Sequence, residues 1–269
     1  MHPIIAVKNV SKKFKEVVAV DDVSFEVNAG EKFAFLGPNG AGKSTTIKML
    51  TTLLHPSEGS LFLSGHDVIK EQDAARKIFG IVFQDPSLDD ELTAIENMEL
   101  HAVLYGMDKK TARQRIEELM TLVELWDRRN SRVKTFSGGM KRRLEIARGL
   151  LHHPKILFLD EPTLGLDAQT RKLLWAHIRK MNDAEGMTIF FTTHYLEEAE
   201  AVADRIAIID HGKIVATGNA EELKAQTNTN TLEEAYLALT GKTVRDEEVD
   251  RGDNMKAAMR RVIASRTRR

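Results

Sequence analysis

The stretch FLGPNGAGKSTT, residues 35–46, sets three glycines, a proline and one lysine between a strand-like run, KFAFL, and a run with helical apolar spacing, IKML. Gly37 to Ser44 has the spacing G-x-x-x-x-G-K-[ST] of a phosphate-binding loop. Glycines let backbone N–H groups turn inward around an anion where side chains would obstruct the approach. Gly37, Pro38, Asn39, Gly40, Ala41, Gly42, Lys43, Ser44 and Thr45 are therefore expected to cradle a nucleoside triphosphate. Lys43 supplies a point charge for the β and γ phosphates and Ser44 a hydroxyl for Mg²⁺, while the following helix offers free N–H groups and the positive end of its dipole. A strand, a phosphate loop and a helix in this order restrict the chain to an α/β fold.

Such a loop alone hydrolyses nothing, so hydrolysis needs further groups. In ILFLDE, residues 156–161, four apolar residues bury a strand and two acids follow at its carboxyl end, where open α/β sheets bind ligands. Asp160 is expected to hold Mg²⁺, and Glu161 to orient and deprotonate the attacking water. In FSGGMK, residues 136–141, a serine and two glycines open the helix KRRLEIARGLL, giving a second anion-binding end. Taken singly, adjacent acids before Pro162 or a Ser-Gly-Gly tripeptide are also ordinary helix caps. Together with the glycine loop they read as chemistry.

Short β-branched and aromatic runs dominate residues 3–36 and predict a strand-rich opening. Apolar spacing predicts a helix over 44–54, ended by Pro56 and Gly59. Residues 85–150 are helical in pattern, with Thr93 and Glu96 spaced as a capping box, and read as an inserted helical lobe. KILFLDEPT and GMTIFFTTH read as strands buried on both faces of a parallel sheet, with RKLLWAHIRKM as the crossover helix between them. RIAIIDHGKIVATG reads as two strands about a turn at His211 and Gly212, and TLEEAYLAL as a helix capped by Thr231 and Glu234. The expected division is an ATPase domain over 1–225, with core 1–84 and 151–225 and helical lobe 85–150, then a helical extension and basic tail over 226–269. The tail's NMKAAMRRVIASRTRR fits either a basic amphipathic segment at a membrane surface or a solvated end.

Lys and Arg number 39 against 40 Asp and Glu, so no basic field advertises nucleic acid and no nucleic-acid partner is expected. The chain has no cysteine, which removes disulfides and thiolate chemistry. It shows no signal-peptide pattern and no run of about 18 apolar residues, so any membrane crossing is expected from another chain.

In order along the chain, Gly37 to Ser44, Gln84, Ser137 to Met140, Asp160 with Glu161, Leu166 with Asp167, and His194 resemble the ATP-binding cassette (ABC) ATPase subunits over roughly residues 4–220. The resemblance implies a P-loop NTPase fold of ABC type: a RecA-like parallel core, an N-terminal antiparallel β subdomain, an inserted helical subdomain and a short C-terminal extension. It also implies that Gln84 touches Mg²⁺ and the attacking water, that Ser137, Gly138 and Gly139 form the signature motif, and that Asp167 is the D-loop aspartate. His194 takes the place of the switch histidine on the γ phosphate, and Phe14 the aromatic position against adenine, where a core aromatic is the alternative. SGGMKRRLEIA, with methionine where many members carry glutamine, and the late TLEEAYLALTG are similar to the daunorubicin-resistance exporter branch. ATP and Mg²⁺, a separate transmembrane permease, a second cassette in a homodimer and a place at the cytoplasmic face of the membrane are what that implies. A soluble clamp on a macromolecular partner is the alternative from a different class.

Overall fold

The structure, a computed structural model, describes residues 3–241. In chain order its elements begin with β1 (Ile5–Phe14), β2 (Val17–Val27), β3 (Lys32–Leu36), α1 (Lys43–Leu50), β4 (Glu58–Leu63), β5 (His66–Asp67), α2 (Gln72–Arg76) and β6 (Phe79–Val82). Three helices follow, α3 (Ala94–Leu104), α4 (Lys109–Leu122) and α5 (Gly138–Gly149). The chain then runs through β7 (Ile156–Asp160), α6 (Ala168–Glu185), β8 (Thr188–Thr193), α7 (Leu196–Val202), β9 (Arg205–Asp210), β10 (Lys213–Gly218), α8 (Ala220–Thr227) and α9 (Leu232–Thr240).

Strands β2-β1-β4-β5 form an antiparallel sheet, and β10-β9-β3-β8-β7-β6 a second sheet in which all but β10 run parallel. Successive residues of a strand point to opposite faces, and the parallel strands are apolar on both. Phe33, Phe35, Phe158 and Phe190 face Ile5, Val7 and Phe25 of the antiparallel sheet and Ile47 and Leu50 of α1. Their neighbours Ala34, Leu36, Leu157, Leu159, Ile189 and Phe191 face the helices, with Leu144 of α5, Trp175 and Ile178 of α6, and Tyr236 of α9 in the same cluster. Stacked rings, Phe25 on Phe33 at 5.5 Å and Phe33 on Phe190 at 5.6 Å, add about 0.5–1.5 kcal/mol each beyond their burial. The RecA-like core, the antiparallel opening and the helices between β6 and β7 are thus as expected.

The expected helix over 44–54 ends at Leu50 instead. Thr52 takes φ +63°, and the N–H groups of Leu53 and Leu54 turn back to the Lys48 carbonyl, which leaves Leu53 exposed although its spacing fits the buried face. The turn at His211 and Gly212 has φ 45° and 80°, both positive as a two-residue hairpin requires. The basic tail lies outside the described residues.

Candidate active site

Because β3, β6, β7, β8 and β9 run parallel, their carboxyl ends gather on one edge. There β3 delivers the glycine loop, β7 the two acids, β8 His194, and β6 Gln84. The loop is held by backbone: Gly37 N–H donates to the Thr193 carbonyl at 3.3 Å, and Gly212 N–H donates to the Ala41 carbonyl at 3.0 Å. A Cβ on Gly37 would lie 2.2 Å from the Ile209 carbonyl oxygen, and Gly42, at φ +108°, would place one 2.5 Å from that of Ala19. Bare backbone is therefore required at both positions. Among the described helices of eight residues or more, α1 alone has no side-chain N-cap, so its first N–H groups face the loop without a side-chain acceptor.

The side chains beneath the loop form one bonded cluster. Lys43 Nζ donates to the carbonyls of Gly37 at 2.8 Å and Pro38 at 3.1 Å, and pairs with Glu161 Oε1 at 3.1 Å. The other Glu161 oxygen accepts from His194 Nδ1 at 3.1 Å. Ser44 Oγ donates to Asp160 Oδ1 at 3.0 Å, and Thr192 Oγ1 donates to the same oxygen at 2.6 Å. Thr192 also accepts the Glu161 N–H at 2.9 Å, so one hydroxyl positions both acids. Burial alone would push the Glu161 carboxyl up, but the His194 hydrogen bond and the Lys43 charge prevail and hold it at about 2.

The structure thus brings Lys43, Ser44, Asp160, Glu161 and His194 into direct contact. A second group forms around Thr170 at the start of α6: its N–H and hydroxyl donate to Asp167 at 2.9 and 2.7 Å, and its methyl would lie 2.6 Å from a Cβ on Gly139. Ser137 caps α5 by accepting the Met140 N–H at 3.3 Å, and beside it a Cβ on Gly138 would meet nothing within 4 Å. Phe14 lies at the tip of the β1–β2 hairpin, 44% exposed under the Lys12 ammonium, which removes its reading as a core aromatic. Gln84 is exposed just past β6. Nothing in the sequence singles out Thr192: inside TIFFTTH a threonine looks like an ordinary strand former, and only the pairing of β7 with β8, which sets Asp160 against Thr192, reveals it.

The residues fit the groups they are expected to bind. The two left-handed glycines, Gly40 and Gly42, and the uncapped α1 suit phosphate, and the hard oxygens of Ser44 and Asp160 suit a divalent cation. A glycine loop and an acid-tipped strand on the carboxyl edge of a mostly parallel sheet define a P-loop nucleoside triphosphatase.

The chain belongs to the ABC transporter family, whose match spans residues 20–164. It is 46% identical over 221 residues to the daunorubicin/doxorubicin resistance ATP-binding protein DrrA of Streptomyces peucetius, covering 82% of this chain and 67% of that one. It is 40% identical over 221 residues to the Nod factor export ATP-binding protein I of Ralstonia nicotianae, covering 82% and 68%. A dimeric ATP-binding cassette in a post-hydrolysis state, bound to ADP and Pi, superposes with a TM-score of 0.72 at 30% identity over 80% of this chain and 98% of that one. The chain is the ATP-binding and ATP-hydrolysing subunit of an ABC exporter, in the DrrA branch. ATP-binding subunits of this kind dimerise and work with a transmembrane permease, and a macromolecular clamp is not favoured. Among the described residues no helix is long and apolar enough to cross a membrane.

Proposed function

We propose that two copies of this chain close around two ATP molecules at the cytoplasmic face of the membrane and drive export of a drug, lipid, polysaccharide or antibiotic through a separate permease. The observation that carries this reading is the separation of the two anion-binding ends. Lys43, Ser44, Asp160, Glu161 and His194 are bonded together, whereas Ser137 and Gly138 open outward on α5 and share no bond with that cluster. A second copy would supply its Ser137, Gly138, Gly139 and Asp167 to the nucleotide held by the first.

In this reading the loop amides from Gly37 to Thr45 and the Lys43 ammonium hold the β and γ phosphates, and Phe14 lies against the adenine. Ser44, Asp160 and Gln84 would hold Mg²⁺, which when bound offsets negative charge on the phosphates. Glu161 accepts a proton from the attacking water, whose oxygen bonds to the γ phosphorus as the bond to the β–γ bridging oxygen breaks, leaving ADP and inorganic phosphate. His194 keeps the Glu161 carboxylate aimed and reaches the γ phosphate from the β8 side. A phosphate beside Lys43 competes with Glu161 for the same ammonium, and this weakens one of the forces that hold the Glu161 carboxyl low.

The permease is proposed to dock on the segment from Pro86 to Thr93 and on α3. Support comes from the α3 surface, where Val103 and Leu104 are 72% and 73% exposed. The test of shared sites is to mix Lys43→Ala chains with Ser137→Ala chains. Each variant alone is expected to lose nearly all turnover, and mixed dimers to regain activity through one complete site. No recovery in isolated heterodimers would rule out sites shared between copies.

A further inference from the structure

Arg142 lies on α5, four residues past Gly138, in a run of basic residues, KRR, that looks like solvated helix surface. In the fold it is 7% exposed and points inward. Its Nε donates to the Pro162 carbonyl at 2.8 Å, and Nη2 to those of Asp160 at 3.0 Å and Glu161 at 3.2 Å. Its Nη1 donates to the Phe83 carbonyl, next to Gln84, and to Glu145 Oε2 at 3.2 Å. Glu145, 3% exposed, passes the link on: its other oxygen accepts the Ser87 N–H at 2.7 Å. One guanidinium thus grips three consecutive carbonyls of the turn that carries both acids, and a fourth at the entrance to the Gln84 segment.

That turn has a conformation that must be held. Glu161 sits at φ +46°, in the left-handed region that a non-glycine residue occupies only when its surroundings hold it there. Thr192 fixes its N–H and Arg142 its carbonyl, so the residue is clamped from both sides. A buried guanidinium is costly unless its donors are satisfied. Here its five hydrogen bonds span all three nitrogens, in the fork geometry that a lysine cannot reproduce.

We infer that Arg142 is a positioning residue: from the helix that presents Ser137 outward, it holds the turn bearing Glu161 and the start of the Gln84 segment of its own chain in the geometry needed for hydrolysis. This rests on the hydrolytic role proposed for Glu161. Shifts of α5 are transmitted through the fork to that carboxylate.

The test uses the full chain as Arg142→Met and Arg142→Lys, beside the wild type and Glu161→Gln. Both Arg142 variants are expected to bind ATP within about twofold of the wild type and to keep KM within about twofold, while kcat falls on the order of 10–100-fold, the pattern of lost transition-state alignment. Mixed dimers locate the effect. An Arg142→Met chain paired with a Lys43→Ala chain keeps its single usable nucleotide site on the Arg142→Met chain and is expected to be slow. Placing both substitutions on one chain, opposite a wild-type chain, is expected to give the turnover of Lys43→Ala opposite wild type. The inference is overturned if kcat is unchanged, if ATP binding falls as far as kcat, or if the doubly substituted arrangement is the slow one. Should the Met variant fail to fold, the Lys variant, which keeps a charge beside Glu145, carries the same readouts. Full turnover in Glu161→Gln would remove the hydrolytic reading itself, a result separable from normal turnover in the Arg142 variants alone.

Discussion

At the scale of single residues, the cluster under the glycine loop is a set of charges that define one another. The Glu161 carboxyl is held at about 2, below its ordinary value of 4.5, so its pairing contributes stability that is fully present above about pH 4.5 and is lost as pH falls through about 2. Replacing it by glutamine removes both the base and this pH dependence. Glu161→Gln is expected to retain ATP binding, accumulate an ATP-bound dimer and lose turnover on the order of 100-fold or more in a phosphate-release assay. Its denaturant midpoint should also change less with pH between about 5 and 2.5 than that of the wild type, and an identical slope would contradict the ion pair. The glycines, Lys43, Ser44 and the two acids were legible in the sequence because their roles depend on neighbours only a few positions away. Thr192 and Arg142 were not. Thr192 works through a strand pairing 32 residues from Asp160, and Arg142 through carbonyls 18 to 59 residues distant, and neither leaves a local pattern.

At the scale of elements, helix starts were readable and helix ends were less so. The capping boxes at Thr93 with Glu96 and Thr231 with Glu234 close as their spacing predicts, and Asn219 with Glu222 makes a third from an equally local spacing. The end of α1 departs from its apolar spacing where Thr52 turns left-handed and the Leu53 and Leu54 N–H groups fold back to the Lys48 carbonyl, which periodicity does not record. Contacts between elements also depend on small residues far apart in sequence. Gly80 in β6 would place a Cβ 2.0 Å from the Gly149 carbonyl oxygen at the end of α5. Because backbone cannot swing aside as a side chain can, Gly80→Ala is expected to destabilise by about 1–3 kcal/mol and to lower turnover by displacing α5. Thermal unfolding with parallel ATPase rates checks this, and an unchanged midpoint would show that the two elements separate without cost.

For the whole molecule, the exposed face of α3 predicts where transport and hydrolysis come apart. Replacing Val103 and Leu104 together by glutamate is expected to leave ATP-driven dimerisation intact and to reduce co-purification with the permease at least about tenfold. A complex of normal yield would move the docking surface elsewhere. The class of fold could be read from alternating apolar runs, but the strand order β10-β9-β3-β8-β7-β6 could not, because hydropathy records which face is dry and not which strand lies beside which. That sheet has a dry interior on either side, with Phe33, Phe35, Phe158 and Phe190 toward one and Leu36, Leu157, Leu159, Ile189 and Phe191 toward the other. A partition gripped from both sides cannot tilt without opening gaps in two interiors at once, and packed protein resists even small voids. Displacement is therefore least costly at the rims of the sheet, where the glycine loop and the two acids lie.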